Sequence, residues 1–291
     1  MLSRTIRLLG VTTLLNVGVY AQTQAPPTEK YGSNPAAGNT FTHDGVKLYY
    51  EVYGAGEPLL VIHGNGSSIG SMKEQIAFFR KHYQVIAMDS RDQGKSGDSP
   101  DKITYEKMAD DLAALLDHLK SPPAYLLGWS DGGIEALLLG IRHPEKVKMI
   151  ASMAANINPQ GVTPEADALF QSMAKSVSPA ARETPQGKRQ FKVSQMMLDE
   201  PQIKPDALEA ISAPTLVLAG DHDLIRDEQT LEIYHHIPNS QLCIFPNATH
   251  MIPIDDPELF NSTVERFFST PFVKKDRVKD VIKSAMKHGV L

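Results

Sequence analysis

Short apolar runs alternate regularly with longer amphipathic segments along most of this 291-residue chain. The segment from Tyr105 to Leu119 repeats apolar residues every three or four positions, which is typical of a helix packed on one face. Parallel strands joined by crossover helices are buried on both faces, so each one reads as a short continuous apolar run. The runs that we interpret as parallel strands are 59–63, 85–89, 124–129, 148–154, 215–220 and 241–245.

A hairpin precedes the first of these runs. His43-Asp44-Gly45 has the composition of a tight turn, and an apolar and aromatic segment follows it over 46–53. Two hairpin strands and six parallel strands predict an α/β fold with a mostly parallel, eight-stranded, doubly wound sheet.

One interval, 156–207, contains no strand-like run. Its periodicity predicts two helices, at about 164–177 and 185–199. We expect this interval to be a short helical lid inserted between the sixth and seventh strands.

The amino terminus has the order of a secretory signal peptide. Arg4 and Arg7 precede an apolar run over 8–19, which is shorter than the roughly 20 residues of a membrane-spanning helix. We predict cleavage after Ala21, hence a signal peptide over 1–21 and a periplasmic or secreted protein; an uncleaved amphipathic anchor is the alternative. A flexible linker is then expected over 22–39 and the globular domain over 40–270.

Composition excludes several classes of partner. The net charge is −5 and no stripe of Lys and Arg runs along the body of the chain, which argues against nucleic acid. The single cysteine, Cys243, and the absence of zinc-site spacing imply no metal, and nothing in the sequence implies an organic cofactor. We therefore expect a small-molecule substrate; the oligomeric state is left open.

The carboxyl terminus, 271–291, reads as a basic amphipathic helix. Such a helix can lie on an anionic membrane surface. Docking on the body of the protein or on a neighbouring subunit is the interpretation that the sequence favours.

A serine between two glycines follows the run over 124–127. In Gly128-Trp129-Ser130-Asp131-Gly132 the flanking glycines allow a very tight turn that exposes the serine hydroxyl. The apolar pattern after it predicts a helix, whose free N–H groups favour negative charge. Ser130 is the candidate nucleophile.

A base and an acid follow in the order Ser, Asp, His. Asp223 lies just past the run over 215–220, and His250 lies just past the run over 241–245. A histidine positioned by a carboxylate activates a serine. Asp221 is an alternative acid, although shaping the loop suits it better.

The sequence His63-Gly64-Asn65-Gly66 after the first parallel strand lets the backbone turn its N–H groups inward. The N–H groups of Asn65 and Asp131 are the predicted oxyanion hole. His63 itself we interpret as structural.

Over residues 45–269 the sequence resembles the α/β-hydrolase superfamily. The resemblance rests on the motifs given above and on Asp89-Ser90-Arg91 with Gly94-Lys95-Ser96. It implies Ser130 as nucleophile, Asp223 as acid and His250 as base. Serine rather than aspartate at position 130 disfavours the haloalkane dehalogenase and epoxide hydrolase branches. Asp92 departs from the glycine that relatives commonly carry there.

The segment 128–133 is similar to that of the valacyclovir hydrolase (biphenyl hydrolase-like) branch. That likeness implies that Asp131, with Trp129, contacts the substrate and that its carboxylate binds an α-ammonium group. Capping of the helix is the alternative role of Asp131.

The sequence thus predicts a secreted serine hydrolase of small carboxylic esters, including aminoacyl esters, that works through an acyl-enzyme. One alternative is an aminopeptidase of the proline iminopeptidase type, with acidic lid side chains presented to an amino terminus. These are Glu165, Asp167, Asp199 and Glu200. A non-catalytic ligand-binding protein on the same scaffold is the alternative from another class.

Overall fold

The computed structural model describes residues 29–290. The predicted signal peptide, 1–21, lies outside the described residues. Within them, no helix is long and apolar enough to cross a membrane.

Eight strands form one sheet in the order β1-β2-β4-β3-β5-β6-β7-β8. The β1–β2 and β2–β4 pairs are antiparallel, and every pair from β4–β3 to β7–β8 is parallel. The predicted α/β fold with a mostly parallel eight-stranded sheet is confirmed. The strands are β1 Gly38–His43, β2 Val46–Tyr53, β3 Glu57–Ile62, β4 Tyr83–Met88, β5 Ala124–Trp129, β6 Val147–Met153, β7 Thr215–His222 and β8 Ser240–Thr249.

Helices cover both faces of this sheet. One apolar cluster includes residues of α2, α3 and α6, and the other includes residues of α1 and α8. The strands between them are buried on both faces, which is why they read as continuous apolar runs. The helices are α1 Lys73–Phe79, α2 Tyr105–His118, α3 Asp131–Arg142, α4 Pro164–Ser176, α5 Pro185–Asp199, α6 Asp227–His236, α7 Ile252–Asp255, α8 Pro257–Ser269 and α9 Lys279–Lys287.

The interval predicted as a lid holds α4 and α5, close to the bounds expected for its two helices. Thr163 and Thr184 begin them, each accepting a backbone N–H of the first turn with its side chain. Both helices lie at the carboxyl end of the parallel strands, which is where α/β proteins bind ligands.

Residues 29–37, part of the expected flexible linker, instead pack against the sheet. The buried carboxylate of Glu51 accepts the N–H groups of Gly32 and Asn34 at 2.6 and 3.0 Å, and the Tyr49 hydroxyl at 2.6 Å. Tyr31 packs on the apolar cluster beside it. The described body therefore begins before residue 40, because a buried acid on β2 needs these donors.

Candidate active site

Ser130 occupies the sharp turn between β5 and α3. Its backbone has φ 58° and ψ −119°, a combination that L-residues rarely adopt and that stores strain. The flanking glycines make it possible: a Cβ on Gly128 would lie 2.0 Å from the Gly132 carbonyl oxygen, and one on Gly132 would lie 2.3 Å from that of Ile62. The Ser130 N–H donates to the Met153 carbonyl at 2.8 Å. The hydroxyl is thus held at the carboxyl end of the sheet.

His250 and Asp223 follow the ends of β8 and β7. The Nδ1 atom of His250 lies 2.7 Å from Oδ1 of Asp223, whose carboxylate is buried. This carboxylate also accepts the N–H groups of Gly220 and Ile225, both at 3.2 Å. Because a carboxylate accepts from Nδ1–H, the other ring nitrogen, Nε2, is left as the basic one.

Asp221, the alternative acid, is directed elsewhere. Its carboxylate accepts the N–H groups of Asn247 and Ala248 at 2.9 and 3.0 Å. The pKa of Asp221 is lowered to about 2. The hydrogen bond with the neighbouring His222 has the largest effect, and the two N–H groups add to it. Asp221 therefore shapes the loop that carries His250, and the ring of His250 is bonded to Asp223.

Trp129, predicted to contact substrate, is buried in one of the apolar clusters. Its indole Nε1 donates to the His250 carbonyl at 2.9 Å. The residue before the candidate nucleophile is thereby tied to the backbone of the candidate base. The structure gives Trp129 a positioning contact instead of an exposed binding surface.

Asn65 and Asp131 are joined by their side chains. The Nδ2 atom of Asn65 donates to Oδ2 of Asp131 at 2.7 Å and to the Val193 carbonyl of α5 at 3.3 Å. A Cβ on Gly64 would lie 3.2 Å from the Ser130 Cβ, so this loop lies directly against the nucleophile turn. Within residues 29–290 the Asn65 N–H has no hydrogen-bond partner. The two predicted oxyanion donors thus belong to residues that hold one another in place.

The carboxyl of Asp131 is buried, with 4% of the residue exposed. Burial raises its pKa to about 6, and interactions with Asn65, Tyr105 and His250 partly offset that effect. One helical turn further on, burial holds the pKa of a second acid, Glu135, well above its usual range. The Asp131 carboxyl is therefore bonded to Asn65 of the oxyanion loop and is almost completely shielded from solvent.

Asp92 sits on the loop after β4 with φ 60°, in the left-handed region that favours glycine. Its buried carboxylate accepts the Ser99 N–H at 3.0 Å and the Lys192 ammonium group at 2.5 Å. Lys192 lies on α5, and Arg189 of the same helix pairs with Asp98. The loop after β4 therefore holds the lid helix by charge.

A cleft of about 530 Å³ separates α5 from the loops after β3 and β4. Asn65 and Asp92 are on one wall, and Met173, Arg189 and Val193 are on the lid side. Its size suits a small molecule, and it adjoins the candidate site at Asn65, but neither Ser130 nor His250 is among the residues that line it.

Two of the four acidic lid residues proposed to bind an amino terminus pair with a lysine. Asp199 and Glu200 both pair with Lys102, at 3.6 and 3.4 Å. Glu165 and Asp167 lie in the first turn of α4, where acidic residues stabilise a helix. Among residues 29–290, moreover, no three His, Cys, Asp or Glu side chains are grouped to hold a metal ion.

Comparison with known proteins places the chain in a family. A sequence profile for the alpha/beta hydrolase fold matches residues 57–195. The 3-oxoadipate enol-lactonase 2 of Acinetobacter baylyi is 30% identical over 257 residues, which cover 78% of this chain and 95% of that protein. The chain belongs to the α/β-hydrolase fold family. The resemblance predicted from its motifs is confirmed.

Other members of the family extend this comparison. Human serine hydrolase BPHL is 26% identical over 290 residues, 90% of this chain and 96% of that protein. The solved structure of Est816, described as an N-acyl homoserine lactone degrading enzyme, has a TM-score of 0.68 and 26% identity and covers 79% of this chain and 100% of that one. The similarity spans the sheet, the lid interval and the candidate site together.

Sequence reasoning missed the contacts of the lid helix in this α/β hydrolase. Asn65 was predicted as a backbone donor, whereas its side chain also bridges Asp131 and Val193. The bond of Lys192 to Asp92 has no sequence signature, because a lone lysine on an amphipathic helix is usually solvated. The one signal in the sequence was Asp92, an acid where the family resemblance predicts a glycine.

Proposed function

We propose that this α/β hydrolase cleaves small carboxylic esters or lactones through an acyl-enzyme formed on Ser130. The observation that carries the proposal is the strained Ser130 turn, whose neighbour Trp129 is bonded to the His250 carbonyl, together with the bond from His250 Nδ1 to the buried carboxylate of Asp223. The names of two relatives, an enol-lactonase and an N-acyl homoserine lactone degrading enzyme, support the substrate class.

The acylation step follows from the site. Ser130 Oγ attacks the ester carbonyl carbon while Nε2 of His250 takes the hydroxyl proton, and the carbonyl oxygen becomes an oxyanion. The N–H groups of Asn65 and Asp131 would bind that oxyanion. When the carbon–oxygen ester bond breaks, His250 gives its proton to the leaving alkoxide. In a lactone the leaving group stays attached as the hydroxyl end of the opened ring.

Deacylation repeats the steps with water. His250 removes a proton from water, the resulting hydroxide attacks the acyl carbon, and collapse of the second oxyanion expels Ser130 Oγ, which regains a proton from His250. Asp223 keeps its negative charge and stabilises the imidazolium in both halves. The products are a carboxylic acid and an alcohol, or one hydroxy acid from a lactone.

The test is hydrolysis of p-nitrophenyl propionate and of a five-membered lactone by the Ser130→Ala variant. Turnover of both should fall by up to about a millionfold. Ser121→Ala, in the connection before β5 and so at the other end of that strand from Ser130, is the matched control and should keep full activity. A fluorophosphonate probe should label the parent protein and not the Ser130→Ala variant. Undiminished turnover in that variant contradicts the proposal, and absent turnover in the parent with no labelling favours a binding protein.

Aminoacyl esters are a second candidate, because the Asp131 carboxylate lies next to the nucleophile and BPHL is a relative. An ammonium group would have to reach a buried carboxylate already bonded to Asn65. Matched alanyl and propionyl esters decide between the two. A strong alanyl preference that Asp131→Asn abolishes supports an ammonium site, and equal rates assign Asp131 to positioning. Alanyl amides run beside the esters test the aminopeptidase alternative.

Export remains part of the proposal. Residues 1–21 are the predicted signal peptide that suggests it. Cleavage after Ala21 would leave a periplasmic or secreted hydrolase. The proposed reaction itself uses no cofactor.

A further inference from the structure

The last helix, α9, stands apart from the body of the protein. None of its residues is buried. In the segment that leads to it, the Lys274 ammonium group donates to the Pro238 carbonyl at 3.0 Å. The sequence favoured docking of this helix on the body or on a neighbouring subunit; in the structure no residue of the helix is buried against the body.

The helix has one apolar face. Met286 and Val281 are 68% and 65% exposed, and Ile282 is 44% exposed. At 100° per residue, these three fall with Val278 and Ala285 inside an arc of about 140°. Elsewhere in the described chain, exposed large apolar side chains lie on several separate elements, whereas here they form one continuous stripe.

A cationic row flanks the apolar face on one side. Lys279, Lys283 and Lys287 repeat every four residues, so they form one row beside the apolar stripe. Within residues 29–290 none of the three is in an ion pair. The two acids of the segment lie at its start, where Asp276 accepts the Lys279 N–H at 2.8 Å and Asp280 accepts the Asp276 N–H at 2.7 Å.

The charge of the segment opposes that of the rest of the chain. Residues 271–291 hold six Lys and Arg against two Asp, a net charge of +4, which leaves −9 for the remainder of a chain whose total is −5. A basic segment on an acidic body orients the molecule, since a negatively charged surface attracts one end and repels the other.

We propose that α9 binds the surface of an anionic phospholipid membrane, lying in the headgroup plane with its apolar stripe inserted and its lysine row against lipid phosphates. Amphipathic helices with basic polar faces bind such surfaces through apolar burial and charge together. A second protein fits less well, because five side chains cover roughly a few hundred Å², below the roughly 800 Å² per partner of a standard interface.

The experiment is co-sedimentation of the purified full-length product with vesicles of phosphatidylcholine alone or mixed with phosphatidylglycerol. Binding should require the anionic lipid and weaken as salt rises. Parent and variants carry the same amino terminus, so differences between them report on the tail alone. Ester hydrolysis and thermal unfolding of each variant verify that it is folded.

Two variants separate the contributions. The first variant combines Lys279→Gln, Lys283→Gln and Lys287→Gln. It should raise the Kd for anionic vesicles by roughly a hundredfold. Ile282→Ser with Met286→Ser should raise it by at least about tenfold. The control for charge is Lys47→Gln, Lys81→Gln and Lys175→Gln, all exposed. The control for apolar loss is Leu259→Ser, because Leu259 is 43% exposed on α8.

Loss of binding in both tail variants, with binding kept in both controls, supports the proposal. Three results overturn it: no binding of the parent to anionic vesicles at low salt, equal loss in the controls, or a parent dimer in sedimentation velocity that the tail variants dissociate while vesicle binding is unchanged. The last result would assign α9 to a second copy of the chain.

Discussion

At the scale of single residues, the backbone N–H and the carboxyl of Asp131 lie in surroundings that conflict energetically. Its N–H is at the first turn of α3, where an oxyanion would bind, and its carboxyl is buried against Asn65. A buried carboxyl is harder to ionise, so near neutral pH the protein holds a costly negative charge beneath its nucleophile. We interpret that cost as the consequence of clamping the oxyanion loop.

The free energy of unfolding should reveal this cost. The pKa of Asp131 is about 6 in the folded protein, against 3.8 for an ordinary aspartate, which is the value for the unfolded chain. The folded protein therefore binds the Asp131 proton more tightly than the unfolded chain does. Stability is therefore lost as pH rises from about 4 to about 6, by roughly 3 kcal/mol, and stays lower above that range. Asp131→Asn should unfold at higher denaturant than the parent at pH 8, and the gap should close toward pH 4. A gap independent of pH contradicts this assignment.

The two acids after β7 should differ sharply in their effect on catalysis. Asp223→Asn removes the carboxylate that fixes the His250 tautomer and should lower kcat by about ten-thousandfold. Asp221→Asn keeps an acceptor near Asn247 and Ala248 and should lower kcat much less. Initial rates with p-nitrophenyl propionate measure both. Equal losses would mean that the loop around Asp221, and not the bond to His250, limits turnover.

The sequence predicts candidate site residues from their positions in the chain, and it does not predict their side-chain contacts. Glycines around Ser130 and strand ends before Asp223 and His250 leave a pattern, because backbone geometry demands them. The bond from Trp129 to the His250 carbonyl joins residues 121 positions apart, and nothing local marks it.

At the scale of elements, the strands and lid helices were predictable because burial and periodicity decide them within a few residues. The predicted helices at 164–177 and 185–199 correspond to α4 and α5. Residues 29–37 were not predictable: Pro, Gly and Asn suggest a linker, while the buried Glu51 of β2 binds their N–H groups. A polar segment ordered by a distant acid has no local signature.

The ion pairs of α5 predict which substitutions loosen the lid helix. Asp92→Gly suits the left-handed backbone at that position and removes the partner of Lys192. Hydrogen exchange of residues 185–199 should become faster and KM should rise severalfold, with little change in global unfolding. Lys192→Gln should behave alike, whereas Lys188→Gln, exposed on the same helix, should not. Unchanged exchange in both Asp92→Gly and Lys192→Gln would show that apolar contacts alone hold the lid.

At the scale of the whole molecule, the order of segments along the sequence is a predicted signal peptide over 1–21, the hydrolase body and the last helix, α9. Residues from Glu29 onward are described, and 29–37 already pack on β2. A cut after Ala21 would fall outside that packed chain, so it should leave the hydrolase fold intact.

The predicted signal peptide can be tested on the intact protein. When the chain is expressed in a bacterium with a general secretion system, intact-mass spectrometry should show a product that begins at Gln22 and is recovered from the periplasm or the medium. Its net charge becomes −7, since Arg4 and Arg7 are lost from a chain of −5. Ala21→Arg should block cleavage, because the peptidase reads a small residue there, while Thr23→Ser, beyond the cut, should not. A product that keeps residue 1 and sediments with membranes would support the uncleaved anchor instead.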